Sequence, residues 1–412
     1  MRTEKILTLL IALVLIAAAV VFWVKSSGTT DEAVETAPVT VDASGSADLL
    51  VIGVQGLEQS LVDRLSKAGR LPNISSLISR GATGRYPTFG RRTDVQIVWT
   101  SLVTGMLPEN QGIGGTMISP RGDVVEAPLT PKHRTVGAIW TYLGAGGEPC
   151  GVVSWPATWP VESIEGVMVG PLPTFILERR HGGDPSDGIS PVSERPRYDP
   201  LMIDHATLER ADLSRFVNTD TRLGLESLMG QNRVALATAY AVDRSAVDLA
   251  TEMAASGIRN LFVNLGGVDV ASQRFWHYME TEAIERIEVS EDERRLLEGE
   301  IEALGETVER YYEFADALVG ELLELASDDA VIALVSDHGY SGIMFDDNDM
   351  PKVGTNMHSE EATWVLVGPG VAEGVSLGRH RLIDVAPTIM EAAGVTADIE
   401  LDGDVLEAAF GR

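Results

Sequence analysis

Two short motifs in the C-terminal half carry the groups best suited to chemistry. Asp337-His338-Gly339 follows the apolar run Val331–Ser336, and Gly266-Gly267-Val268-Asp269 follows the run Asn260–Leu265. His358 stands just before another apolar run, Trp364–Val367, while Gln55-Gly56 closes the first, Leu49–Val54. Open parallel α/β sheets bind their ligands outside the carboxyl ends of the strands, so residues following such runs gather at one edge. Two carboxylates and two imidazoles there offer oxygen and nitrogen donors that suit Zn, Mn or a similar divalent ion. A lone strand-end Asp or His is more often a turn cap, so the adjacent pair Asp337-His338 carries most of this signal.

The elements that must position these groups are legible from the hydrophobic pattern. Leu49–Val54, Gly151–Ser154, Asn260–Leu265, Val331–Ser336 and Trp364–Val367 are short, continuous apolar runs, the signature of strands buried on both faces. Helical spacing fills the intervals, most clearly from Asp292 to Ala326, where Leu, Ile and Val recur every three or four residues. Strands alternating with helices predict a layered α/β/α fold with a mainly parallel central sheet. Residues 171–215, rich in Pro, Asp, Arg and Gly, read as a loop insertion within a domain spanning 49–412.

Composition narrows the function classes. The 412 residues include 61 acidic and 32 basic side chains, a formal charge of −29. Such a surface repels phosphate backbones, so no nucleic-acid partner is expected. A single cysteine, Cys150, excludes an internal disulfide and a thiolate zinc cluster.

Ile6–Val24 is uncharged and apolar, close to the ~20 residues that cross a bilayer core as a helix. Arg2 and Lys5 ahead of it favour a cytoplasmic N-terminus. Ala17-Ala18-Ala19 offers a cleavage site for the rival signal peptide, but the apolar run continues through Val24. Residues 1–25 are therefore read as a single-pass membrane anchor. Residues 26–48, rich in Ser, Thr, Asp and Glu, form a flexible acidic linker to an extracytoplasmic (periplasmic or extracellular) domain.

From Leu49 onward the chain resembles the alkaline phosphatase superfamily, in its type I phosphodiesterase/nucleotide pyrophosphatase branch. The pieces that carry the resemblance occur in order. They are Val51-Ile52-Gly53-Val54-Gln55-Gly56, Leu71-Pro72-Asn73, Trp99–Gly105, Pro108–Ile113, Trp155–Pro160, Gly267-Val268-Asp269 with Phe275-Trp276, and Ser336–Gly339. Gly368-Pro369-Gly370, Asp384–Thr388 and Leu401-Asp402-Gly403 complete the set. Members of that family hydrolyse phosphoesters with a Ser or Thr nucleophile between two metal ions, usually zinc.

Carried over residue by residue, the resemblance implies Asp337 and His338 at one metal position, with Asp269 and His358 at the other. It also implies losses. The first-strand Asp falls on Gln55, the His four residues after Asp269 falls on Gln273, and the nucleophile falls on Val95. A further family histidine falls on Gln111. Two ligands remain per metal, whereas protein zinc sites use three or four. Thr93 is the one hydroxyl near Val95, though Thr93 or Asp94 would equally serve as a helix cap.

The sequence therefore predicts a membrane-anchored pseudo-hydrolase that binds an anionic ligand or a protein partner, with no cofactor or one weakly held divalent metal. Two alternatives stand beside it: an active metal-dependent phosphodiesterase or phosphatase using Thr93, with Zn as its metal, and a structural envelope protein. Trp155 and Trp159 are expected to pack at the pocket edge, and His133, His181, His205, His277 and His380 to be surface or loop residues.

Overall fold

The computed structural model describes residues 48–89, 95–113, 116–118, 124–126, 130–172, 187–281, 290–340, 358–359, 361–397 and 399–412. The expected anchor (1–25) and nearly all of the linker (26–48) lie outside them. Among the described residues no helix is long and apolar enough to cross a membrane.

Nine strands build one sheet: β1 (Leu49–Val54), β2 (Ala82–Pro87), β3 (Cys150–Val153), β4 (Gly166–Val169), β5 (Ile189–Ser190), β6 (Asn260–Leu265), β7 (Val331–Val335), β8 (Glu361–Val367) and β9 (Ser376–Arg379). Their order is β9-β2-β8-β7-β1-β6-β3-β4-β5. The central run from β7 to β4 is parallel throughout. β8 lies antiparallel between β7 and β2, and β5 antiparallel on β4. The fold is thus mixed α/β with a mainly parallel sheet, and the apolar runs supply its centre.

Side chains alternate across each strand, so each face draws its own core. Leu50, Ile52 and Val54 join Leu261, Val263 and Leu334 in one layer, while Leu49 and Val51 join Phe262, Ala333 and Val335 in the other. The first layer is covered by α1 (Gln59–Lys67), α2 (Pro72–Arg80), and the later helices described below; the second by α3 (Val95–Thr104), α4 (Ile139–Ala145) and the C-terminal helix Val385–Ala393. α5 (Gly230–Ala255) and α6 (Gly267–Met279) flank β6 in sequence.

The long helical pattern over 292–326 forms two helices, α7 (Glu291–Leu304) and α8 (Thr307–Leu323). Ser290 starts α7 through a capping box with Glu293. The break falls at Gly305, which caps the C-terminus of α7, while Gly299 and Gly320 are held inside the two helices. In the region read as a loop insertion, the described part from 187 contributes β5 and a series of single turns, and it buries Tyr198, Leu213 and Phe216 in the first layer.

Candidate functional site

The parallel strands β1, β6 and β7 end side by side, and their following residues meet. Asp337 is buried, and both of its oxygens are engaged. Oδ1 accepts the Gly56 backbone N–H at 3.2 Å, and Oδ2 accepts the indole N–H of Trp99 at 2.9 Å. Burial pushes the Asp337 carboxyl above the usual carboxylate range, against the opposing pull of His338 and these donors.

His338 Nδ1 lies 3.0 Å from the Gly339 carbonyl, which can only accept, so Nδ1 carries a proton. Nε2 then points at the carboxylates, 3.5 Å from Asp337 Oδ2 and 3.8 Å from Asp269 Oδ1. Ser336 fixes this turn. Its Oγ accepts the Leu57 N–H at 3.1 Å and donates to His338 O at 3.0 Å, while Tyr86 donates its hydroxyl to Ser336 O at 2.5 Å.

Asp269 sits in the first turn of α6. Gln273, one turn later, donates its amide to Asp269 Oδ2 at 2.7 Å. The approach of the first turn to β1 is close: Gly56 has φ +74°, and a Cβ there would stand 3.0 Å from the Cα and Cβ of Asp269. Behind the turn, fully buried Asp243 of α5 accepts the N–H groups of Gly266 and Gly267 at 2.9 and 3.0 Å and the Tyr311 hydroxyl at 3.0 Å. Burial pushes its carboxyl up to about 7, with those donors pulling the other way. A Cβ on Gly267 would overlap the Tyr311 oxygen, so glycine is required where Asp243 clamps the turn.

α3 presents Val95 and, one helical turn later, Trp99. Val95 packs on the second layer. Trp99 is fully buried and lies against β1 where Gly53 has no side chain; a Cβ at Gly53 would stand 2.8 Å from the ring. Trp155 meets it edge-on, centroids 5.1 Å apart. The loop that carries Trp155 places Ser154 (φ 56°) and Ala157 (φ 63°) in the left-handed region, a conformation few non-glycine residues adopt. Gln55 turns its amide to Asn264 Oδ1 of β6, at 2.5 Å. Gln111 is buried beneath α3, accepting from Ser101 and donating to Ile97 O at 3.4 and 3.3 Å.

The structure therefore brings Asp337, His338 and Asp269 together. Gln55 adjoins them through Gly56, and Gln273 through its bond to Asp269. The backbone of His358 pairs with Tyr340 in a short antiparallel ladder two residues beyond His338. The His358 side chain and all of Thr93 lie outside the described residues. Trp99 and Asp243 were not singled out by the sequence as part of this site. The one available signal for Trp99 is its i+4 spacing from Val95, which puts both on one face of α3. One histidine corrects the sequence reading: His277 is buried in α6, its imidazole pushed down to about 4 by desolvation, with its ring against Tyr278. His380 lies in the loop after β9, partly buried, and accepts the Trp364 indole N–H at 2.8 Å.

Among the described side chains, Asp269, Asp337 and His338 supply fewer ligands than a two-ion centre uses. Among the described residues no group of three or more His, Cys, Asp or Glu side chains is placed to hold a metal. Asp337 and Asp269 each accept N–H donors, from Trp99, Gly56 and Gln273. Such donors supply to a carboxylate the positive partner a cation would otherwise provide. No catalytic step through a metal pair follows from this arrangement.

The model of the type I phosphodiesterase/nucleotide pyrophosphatase family matches residues 49–386. The chain belongs to that family. Its solved structural relatives include human ectonucleotide pyrophosphatase/phosphodiesterase 5, with 11% identity, 87% of this chain and 97% of that one covered, and a TM-score of 0.46. Phosphonoacetate hydrolase from Sinorhizobium meliloti has 18% identity, 77% and 63% coverage and a TM-score of 0.42. A phosphonate monoester hydrolase from Silicibacter pomeroyi has 14%, 89% and 77%, and 0.43. No curated protein sequence matches the chain. Membership of the family accounts for the mainly parallel sheet at whose strand ends Asp269, Asp337 and His338 meet.

Proposed function

We propose that this chain is a pseudo-hydrolase of the type I phosphodiesterase family: a membrane-anchored, extracytoplasmic binding domain whose two-metal centre has been lost. The observation that carries the reading is the Trp99–Asp337 hydrogen bond. An indole N–H held on a buried carboxylate, one turn from the apolar Val95, puts packing where the family places a metal and a nucleophile. The amide of Gln273 on Asp269 supports the same reading on the other metal position. The orientation of His338 Nε2 toward both carboxylates leaves room in the proposal for one weakly held divalent ion, but not for a catalytic pair. The ligand is an anion or a protein, and Ile6–Val24 is the anchor.

The test is hydrolysis. The full chain, supplied with Zn or Mn, is expected to turn over bis(4-nitrophenyl) phosphate no faster than an Asp269→Ala/Asp337→Ala double variant. Turnover well above that variant, abolished by Thr93→Ala, would establish the rival reading of an active enzyme with a displaced nucleophile.

A further inference from the structure

A cavity lies on the other face of the sheet from Trp99, lined by none of Asp269, Asp337 and His338. It encloses about 370 Å³, within the roughly 300–1,000 Å³ of small-molecule sites. Its walls are Val62 of α1, Ile74 and Ile78 of α2, Leu334 of β7 and Val365 of β8. Residues of β8, β2 and β9, among them Thr363, Thr83 and Ser376, form its floor.

The charged side chains at this cavity are Arg85, Arg379 and Glu361, an excess of one positive charge. Arg379 is already paired with Glu361 at 2.8 Å. Arg85, on the same strand face as Thr83, is exposed, and its guanidinium has no ion-pair or hydrogen-bond partner among the described residues. Elsewhere the described arginines of this structure are largely spent on carboxylates, as at Arg134–Glu162 and Arg244–Glu321. A chain with 61 acidic against 32 basic residues has carboxylates to spare, so a guanidinium left open beside an apolar cavity is a specific feature.

We propose that this cavity is a binding site for a small apolar carboxylate of aryl-alkyl size, its body held between α1, α2 and β8 and its carboxylate on Arg85. An arginine fork matches a carboxylate in plane and charge, and the apolar walls supply the burial that water-soluble inorganic anions cannot use.

The test is calorimetric titration of the full chain in nanodiscs with 4-phenylbutyrate, empty nanodiscs being subtracted, and with neutral 4-phenylbutanol as the control ligand. One saturable site per chain is expected. Arg85→Gln should weaken 4-phenylbutyrate by about tenfold or more while leaving 4-phenylbutanol unchanged. Ile78→Trp, which fills the cavity, should abolish both, and an unaltered thermal unfolding transition shows that the fold survives. Absence of a saturable site in the wild type, or equal affinity of the wild type and Arg85→Gln for 4-phenylbutyrate, would overturn the assignment.

Discussion

Trp99 and Asp337 come from different layers of sequence, a helix after the second strand and the turn after the seventh, yet the indole N–H meets the carboxylate oxygen at 2.9 Å. Gly53 makes this possible by leaving the surface of β1 bare beneath the ring. Removing the donor while keeping an aromatic ring isolates the bond. Trp99→Phe should lower unfolding stability by about 1–3 kcal/mol, because a buried acceptor loses one of its two donors. Equilibrium denaturation with urea measures it; an unchanged midpoint would mean that the bond contributes nothing to the fold.

Asp243 gives a pH signature. Its carboxyl rises in the folded state to about 7 from an ordinary value near 3.8, chiefly through burial. The folded chain therefore holds a proton that the unfolded chain releases, so stability is full below the unfolded value and falls as pH rises through the folded one. Between about pH 4 and 7 the loss is up to ~1.4 kcal/mol per pH unit, and it levels off above that. Asp243→Asn should remove this slope from the difference between wild-type and variant stability curves. Parallel curves across that range would show that the three donors keep Asp243 ionised in the fold.

The membrane assignment has its own check. Leu13→Arg/Leu15→Arg places charge at mid-bilayer depth, at ~2.5–3.5 kcal/mol for each residue on insertion scales. The variant should move from the membrane fraction to the soluble fraction. A wild-type mature chain starting near Val20 would instead identify a cleaved leader.

Much of the sheet was legible because its central strands are buried on both faces, and short continuous apolar runs such as Leu49–Val54 and Val331–Val335 have the length and composition of buried strands. The strands β2 and β9, at one side of the sheet, were not. β2 reads Ala-Thr-Gly-Arg-Tyr-Pro and β9 Ser-Leu-Gly-Arg, sequences with one polar face or little apolar content, held by pairing that sequence does not display. At the site, Asp337, His338 and Asp269 could be found because strand ends converge by topology. The partners of those groups could not. That Trp99 donates to Asp337, and that Gln55 turns to Asn264, depend on the bare surface at Gly53 and on rotamers chosen by packing.

Reversal tests the proposed loss of the metal centre. Gln55→Asp, Gln273→His and Val95→Thr together should bind zinc at least ~10-fold more tightly than wild type, as restored ligands outweigh even the 10–100-fold effects of outer-shell changes. Each single change should gain little, since residues of a metal centre act as a unit. A folded triple variant with wild-type zinc affinity would place the change in the backbone.

The central claim is read most directly from the metal content of the full chain after purification with added zinc and manganese, followed by dialysis. Inductively coupled plasma mass spectrometry should find fewer than two ions per chain, and at most one that dialysis removes. Two ions retained per chain, together with phosphodiester turnover that a chelator abolishes, would contradict the account and make this domain a working hydrolase.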